Sequence, residues 1–197
     1  MNLESAMAAC PVRVAEISVD AQQQSNWCWA ALIQSLLRCR GDTATQEEIV
    51  TTHLNRTGRR YTCGGGNEGH QTGGECTDVA CSASCNDEHS LGVTLPEIGL
   101  LSGDLSVGRP PPFELLVEEI ANQRPVPCRV AWTSGGGHVF LIVACSVQDG
   151  TPTVHALDPA AAPAGAVPED TVAHADLDGA YVRMSKIGRV DHAYGIT

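Results

Sequence analysis

Basic side chains are scarce in this sequence. Twelve of its 197 residues are Lys or Arg, against 23 Asp or Glu, so the formal net charge at pH 7 is −11. A surface with this excess of negative charge repels phosphate backbones and anionic lipid headgroups. We therefore expect neither nucleic acid nor a membrane surface to be a general partner of the chain.

Long apolar runs are also missing. No stretch approaches the ~20 apolar residues that a helix needs to cross a bilayer. Residues 1–18 contain neither the basic region nor the apolar core of a secretory signal peptide. What remains is the composition of a folded protein, with 43% apolar and 18% charged residues. A chain of 197 residues suits one domain with a sizeable core and is short for two.

The first part of the chain carries helical patterns. Apolar side chains within residues 27–39 recur at intervals of three and four, which predicts a helix with one buried face that ends before Gly41. Thr45–Glu48 reads T-x-x-E, a capping box that opens a second helix. A further helix with one apolar face is predicted after Pro110–Pro112.

From Val126 onwards the pattern changes to that of strands. Short runs rich in Val, Ile, Thr and aromatic residues are separated by Gly, Pro and Asp turns. These runs are Val126–Trp132, Val139–Val147, Thr153–Leu157, Ala180–Met184 and Asp191–Ile196. The stretch His138–Cys145 is apolar on both faces, which predicts a central strand. Helices followed by strands predict an α+β fold, in which a helical half packs on an antiparallel sheet and a cleft lies between them.

We expect a single domain over residues 1–197. Its helical half is predicted over about 20–123 and its sheet half over about 124–197. Residues 58–90 differ from the rest of the helical half because they are rich in glycine, contain four cysteines and show little periodicity. We interpret them as an irregular insert that is cross-linked or holds a ligand.

The segment Gln22–Ala31, QQQSNWCWAA, places Cys28 at the start of the first predicted helix. Unpaired backbone N–H groups and the helix dipole favour negative charge there, and hence the thiolate, which is the reactive form of cysteine. The alternative interpretation is a small core residue. The preceding glutamines favour a nucleophile, because a side-chain amide is a suitable hydrogen-bond donor to a developing oxyanion.

Two further segments carry groups that can serve a thiol nucleophile. His138 follows a run of glycines at the mouth of the central strand, where an imidazole can take the thiol proton and later protonate a leaving amine. Asp158 ends the next predicted strand, and its carboxylate can accept the other imidazole N–H and fix the tautomer. The alternatives are a surface-loop histidine and an ordinary Asp-Pro turn.

This pattern resembles the papain-like cysteine peptidases. It is most similar to their compact bacterial branch (C39-like or C70-like), whose nucleophile segment reads much like WCWAA and whose third member is Asp. The resemblance implies a papain-like fold with Cys28, His138 and Asp158 as the catalytic residues. It also implies that Gln22, six residues before the cysteine, helps to form the oxyanion hole. The sequence has no Trp shortly after Asp158, where papain has one that shields the contact between histidine and its partner.

The resemblance implies a hydrolase that cleaves a peptide bond through a thiol acyl-enzyme, with a protein or peptide as substrate. Two alternatives remain open. One is a transglutaminase-like or deamidating acyl transferase, because the same three residues serve any acyl transfer. The other is a non-catalytic binding domain with the papain fold.

The biological role is predicted only in outline. We expect a secreted bacterial effector or toxin, or a protease that processes a precursor. Because a signal peptide is missing, delivery by a dedicated secretion system is expected, with a cytoplasmic location as the alternative. An effector or toxin implies an inhibitor or immunity protein as a further partner.

The insert holds four cysteines, for which three states are open. These cysteines are Cys63, Cys76, Cys81 and Cys85. They can form disulfides, bind a structural zinc together with His70 and His89, or remain free thiols. Setting Cys28 aside leaves an even number of cysteines, which suits pairing in an oxidising compartment. Apart from that zinc we expect no cofactor.

Overall fold

The computed structural model of the chain describes residues 12–57, 85–183 and 185–197. Within these residues the helices are α1 (Cys28–Arg38), α2 (Gln46–Arg56), α3 (Leu91–Glu97) and α4 (Phe113–Ala121), with a 3₁₀ helix at His174–Leu177. The strands are β1 (Val12–Arg13), β2 (Leu101–Val107), β3 (Val126–Trp132), β4 (Gly137–Gln148), β5 (Thr151–Leu157), β6 (Glu169–Ala173), β7 (Tyr181–Arg183) and β8 (Lys186–Ile196). These elements confirm the predicted α+β fold class.

The first two helices show the apolar face and the capping box that their sequences predict. α1 buries the predicted apolar face, including Trp29, Leu32 and Leu36. In the capping box of α2, the Thr45 hydroxyl accepts a 3.2 Å hydrogen bond from the backbone N–H of Glu48. The Glu48 carboxylate in turn accepts a 2.8 Å bond from the backbone N–H of Thr45. These reciprocal bonds satisfy donors that a helix N-terminus otherwise leaves open.

The strands form one antiparallel sheet in the order β2–β8–β3–β4–β5–β6. In addition, β1 pairs with β4 and β7 pairs with β8. The stretch His138–Cys145, predicted as a central strand, lies in β4 with paired strands on both sides. The sheet also contains β2 and β6, which were not predicted from the sequence, and β2 lies within the predicted helical half.

The core has two layers, one on each face of the sheet. Along β4, Val139, Leu141 and Val143 pack with the apolar faces of α1, α2 and α3. The alternate residues Phe140 and Ile142 pack with α4 on the opposite face. This alternation follows from the two-residue period of a strand and explains why β4 is apolar on both faces. Within the described residues, no helix has the length and apolar character needed to span a membrane.

Candidate active site

Cys28 is the first residue of α1, as predicted, and its side chain is partly exposed. It is a free thiol. The position at a helix N-terminus places it among backbone N–H groups that lack helical partners, where negative charge is favoured. The structure therefore places a solvent-accessible thiol at a helix N-terminus, a position typical of reactive cysteines.

The loop that leads into α1 is tied to the segment that follows Cys85. Asn26 and Asn86 each bond through the side chain to the backbone of the other residue. Asn86 Oδ1 accepts a 2.9 Å bond from the backbone N–H of Asn26, and Asn26 Nδ2 donates a 2.9 Å bond to the backbone carbonyl of Asn86. Trp27 Nε1 donates to the carbonyl of Cys85 at 2.9 Å, and Trp29 Nε1 donates to that of Asp87 at 3.1 Å. These four bonds fix the backbone on both sides of the thiol.

His138 lies near the start of β4, and its side chain is 4% exposed. The turn before it contains Gly135 and Gly136 at φ values of +88° and +76°, a conformation that glycine adopts without strain. The imidazole lies beside the Cys28 side chain and lines the same cleft. Its Nε2 lies 2.6 Å from Asp158 Oδ1, which leaves Nδ1 as the ring nitrogen available to Cys28.

The contacts of His138 favour its protonated form. Burial lowers the pKa of the imidazole, but hydrogen bonds to Asp158 and Cys28, together with their negative charges, outweigh burial and raise it to about 9. Trp132 from β3 stacks on the ring, with centroids 6.1 Å apart and an interplanar angle of 16°. An aromatic ring therefore does cover this histidine, and it comes from the strand before His138 rather than from a segment after Asp158.

Asp158 immediately follows β5 and is fully buried. Its Oδ1 contacts His138 and also accepts a 2.8 Å bond from the backbone N–H of Ala160. Its Oδ2 accepts a 2.8 Å bond from Arg183 Nε and a 3.4 Å bond from the Tyr181 hydroxyl. Burial raises the pKa of this carboxyl group, but its hydrogen bonds and the charge of His138 outweigh burial and lower it below its ordinary value. The structure thus joins thiol, imidazole and carboxylate in the predicted order.

Gln22, the predicted oxyanion donor, lies in the same loop as the nucleophile. Its Nε2 donates to the backbone carbonyls of Gln24 at 2.9 Å and Ser25 at 2.7 Å. Its backbone N–H donates to the carbonyl of Pro159, next to Asp158. In this arrangement the Gln22 amide shapes the loop before Cys28, so a direct bond to an oxyanion requires one of the two carbonyl bonds to be exchanged. Its role as a donor stays a prediction.

A cleft of about 550 Å³ opens over the thiol and the imidazole. Ser25, Asn26 and Trp29 line it on the helical side, with residues 88–91. Arg129, Trp132 and Lys186 line it on the sheet side, where Arg129 also forms an ion pair with Asp191. The cleft places solvent-accessible space directly against Cys28 and His138, as a reaction on an extended substrate requires.

The insert is described only in part. Residues 58–84 lie outside the described residues, so the predicted disulfide, zinc and free-thiol states of Cys63, Cys76 and Cys81 stay predictions. Cys85 is buried within the described residues, and its predicted pairing stays a prediction as well. Within the described ranges, no group of three or more His, Cys, Asp or Glu side chains is arranged to hold a metal ion.

A second polar cluster lies on the sheet away from this cleft. Ser146 Oγ is 2.8 Å from His155 Nε2, and His155 Nδ1 is 2.8 Å from Glu169 Oε1, an order of groups also found in serine hydrolases. Glu169 is further paired with Arg13. Because Ser146 is 5% exposed within a strand that is paired on both sides, its hydroxyl is not open to a substrate. The cluster instead joins β1, β4, β5 and β6 across the sheet.

Sequence reasoning missed the residues that support the three central groups. Trp132, Arg183 and Tyr181 surround His138 and Asp158, and Asn26 and Asn86 hold the nucleophile loop. Arg183, Tyr181 and Asn86 lie far in the sequence from the groups that they contact, so no local spacing links them. The only available indication was the position of Trp132, just before the glycines that precede His138.

Comparison with protein-family models matches residues 12–168 to the family described as papain-like cysteine protease AvrRpt2. No curated protein matches the chain. The matched range spans most of the chain and includes the three residues that form the contact from thiol to carboxylate. With this match and an α+β architecture of papain type, the chain belongs to the papain-like cysteine protease family.

Proposed function

We propose that the chain is a cysteine peptidase that hydrolyses a peptide bond in a protein or peptide substrate. The observation that carries this proposal is the unbroken contact from Cys28 through His138 to the buried carboxylate of Asp158, at the base of an open cleft. A binding domain has no need of a buried carboxylate behind a histidine that contacts a free thiol.

The first half of the reaction follows from the charge state of the site. With a pKa of about 9, His138 is protonated at neutral pH, and the proposed reaction starts from this imidazolium beside the Cys28 thiolate. The Cys28 sulfur attacks the peptide carbonyl carbon, and the carbonyl electron pair moves onto oxygen. When that pair returns, the C–N bond breaks, and the imidazolium donates its proton to the departing amine. The products of this half are a free amine and a thioester on Cys28.

The second half regenerates the enzyme. The now neutral imidazole takes a proton from water, whose oxygen attacks the thioester carbonyl. Collapse of the second tetrahedral species breaks the C–S bond and releases a carboxylic acid. The imidazole keeps the proton that it took from water, which restores the starting state of the site. Asp158 holds the ring in one orientation throughout and stabilises its charged form.

The oxyanion that forms in both halves lies next to the N-terminus of α1. Backbone N–H groups there favour negative charge, and we assign the second donor to Gln22. Its amide is held in the loop before Cys28, and donation to the oxyanion exchanges one of its two present bonds to backbone carbonyls. This assignment makes Gln22 a residue that acts in the transition state more than in substrate binding.

Mass spectrometry of a mixed peptide library tests the reaction type. Incubation with the chain is expected to produce new peptide termini, and in H₂¹⁸O each new carboxylate gains one heavy oxygen. Cys28→Ser is the control that removes the nucleophile. Cys39→Ser, at an exposed free thiol just beyond the other end of α1, is the matched variant and is expected to keep the activity. Conversion of Gln to Glu without new termini, or attachment of an added amine, would instead assign deamidation or transglutaminase-like transfer.

A covalent probe distinguishes a binding domain from a peptidase whose preferred substrate is missing from the library. A peptide carrying a thiol-reactive carbonyl electrophile is expected to add one copy to the wild type and none to Cys28→Ser. His138→Ala should slow this addition strongly. If the library is uncut and the electrophile reacts no faster than with an ordinary thiol, the chain is a binding domain.

We further propose a role as a bacterial effector or toxin that is exported by a dedicated secretion system. The cysteine content supports this role, because nine cysteines are many for a chain of this size that stays in a reducing cytosol. We expect disulfides in the insert, and an inhibitor or immunity protein that covers the cleft. Retention of the tagged chain in the cytoplasm of its source would count against export.

A further inference from the structure

Arg183 contacts the carboxylate that orients His138, on the side away from the imidazole. Its Nε donates a 2.8 Å hydrogen bond to Asp158 Oδ2, while His138 occupies Oδ1. A second guanidinium nitrogen lies 3.0 Å from Asp170 Oδ2 on β6. Arg183 belongs to β7, beyond the range that the family model matches, so its part in the site comes from the structure alone.

The charges around the buried carboxylate form a short chain. Asp158 is fully buried, and its charged or titratable neighbours are His138 from β4, with Arg183 and Tyr181 from β7. On the far side of His138 is Cys28 from α1. A buried carboxylate with one cationic partner would bind the imidazolium proton tightly, because the low dielectric strengthens their attraction.

We propose that Arg183 is a positioning residue that offsets part of the charge of Asp158, so that the carboxylate stabilises the His138 imidazolium less than an unpaired carboxylate would. The carboxylate then orients the ring through Oδ1 while its charge is partly balanced by the guanidinium at Oδ2. His138 thereby keeps enough acidity to release its proton to the departing amine. The inference rests on the proposed peptidase reaction for its consequence in turnover, but the charge balance itself can be measured without turnover.

The variant Arg183→Gln removes the cation and keeps a polar side chain. Asp158 then faces His138 with its full charge, so the imidazolium is stabilised. NMR titration of the His138 ring is expected to move upward by about one pH unit, given the size of Coulomb terms between nearby partly buried charges. The alkaline limb of kcat/KM is expected to move in the same direction, and kcat to fall about 10²-fold because the carboxylate is less firmly held.

Two variants separate charge from structure. Arg183→Lys keeps the cation and is expected to restore the titration of His138 towards the wild-type value, even where the lost Nε geometry lowers kcat. Arg189→Gln removes an exposed cation from the neighbouring strand β8 and is expected to leave titration and kcat unchanged. A purely structural ion pair at Arg183 would lower stability or kcat without moving the titration of His138.

A double variant provides the test that does not depend on the stability of Arg183→Gln. Asp158→Asn alone leaves the guanidinium facing a neutral amide in a buried site, a costly arrangement. The double variant Asp158→Asn with Arg183→Gln removes both charges and leaves a neutral acceptor for His138. We expect it to be more active than Asp158→Asn. A double variant that is no more active, or an unmoved His138 titration in Arg183→Gln, overturns the inference.

If the wild type cleaves no peptide, the proposed function fails, and the titration of His138 still decides whether Arg183 balances Asp158. If the wild type cleaves peptides and Arg183→Gln leaves the titration unmoved, the inference fails and the proposed function stands. The two results therefore cannot be confused.

Discussion

Raising the pH through the titration of His138 should destabilise the folded chain by a predictable amount. The pKa of His138 is raised to about 9 in the folded protein, whereas an exposed histidine titrates near ~6.5. A group whose pKa is raised by folding contributes stability that is fully present below its unfolded pKa. That contribution is lost as the pH rises through the folded value. The window for this loss therefore runs from about pH 6.5 to about pH 9.

The size of the effect follows from the difference between the two values. At ~1.4 kcal/mol per pH unit, the difference between about 9 and ~6.5 corresponds to about 3 kcal/mol of unfolding free energy. The side chain is 4% exposed, so solvent screening reduces this figure little. A domain of this size has a total stability of roughly 5–15 kcal/mol, so the loss is easy to measure.

Urea unfolding of the wild type and of His138→Gln, across the range from about pH 6 to about pH 10, measures the effect. Other groups titrate in the same range and must be subtracted. Burial raises the pKa of the Cys145 thiol to about 12 and raises that of Cys128 as well, so both thiols also cost stability when the unfolded chain ionises above ~8.5. Both proteins contain these two thiols, so the difference between their pH profiles reports His138 together with its interactions with Cys28 and Asp158.

We expect the wild type to be more stable than His138→Gln at the acid end of this range, and the advantage to shrink by about 3 kcal/mol towards the alkaline end. Parallel profiles would show that the imidazolium is not preferentially stabilised in the fold. The buried pair of His138 with Asp158 would then not carry the charge on which the proposed mechanism depends.

Three further predictions concern the nucleophile loop. Iodoacetamide should alkylate Cys28 rapidly at about pH 6. Cys39, an exposed thiol whose pKa is raised because part of the residue is buried, should react only at alkaline pH. Peptide mapping distinguishes the two cysteines, and equal alkylation rates at every pH would refute an ion pair between Cys28 and His138. Gln22→Ala should lower kcat by about 10²-fold with little change in KM, as the loss of one oxyanion bond does; a rise in KM alone would assign it to binding. Asn86→Ala removes the side-chain acceptor that holds the backbone N–H of Asn26, so it should slow Cys28 alkylation and lower kcat. The control Asn122→Ala, on the far side of the sheet, should change neither quantity. Equal effects of the two variants would show a general loss of stability.

Local sequence patterns predicted the elements that carry the reactive groups. The capping box at Thr45, the helix that begins at Cys28 and the central strand after His138 all depend on neighbours a few residues away. Each therefore leaves a repeating pattern in the chain. The three central groups could be proposed because each lies at an end of such an element, where functional side chains commonly project.

The parts of the fold and of the site that the sequence did not predict depend on contacts between distant parts of the chain. Strands β2 and β6 lie at the two edges of the sheet, where one side is unpaired and an apolar alternation is not required, so their sequences show little pattern. Glu119 of α4 is 7% exposed and accepts two hydrogen bonds from Arg124, just beyond the helix. A charged side chain is buried only where a partner pairs with it, and the sequence alone does not show which cation that partner is.

The geometry of the site depends on strand register as much as on residue identity. His138 lies opposite Val130 of β3, and Leu157, just before Asp158, lies opposite Leu141 of β4. A slip of one residue in either pairing would turn a side chain to the other face of the sheet and break the 2.6 Å contact between imidazole and carboxylate. Since β4 is buried on both faces and paired on both sides, such a slip would move the apolar residues of two core layers at once. The same packing that makes β4 apolar throughout therefore holds the base and its carboxylate in place, while α1 brings the thiol to them from the other side of the cleft.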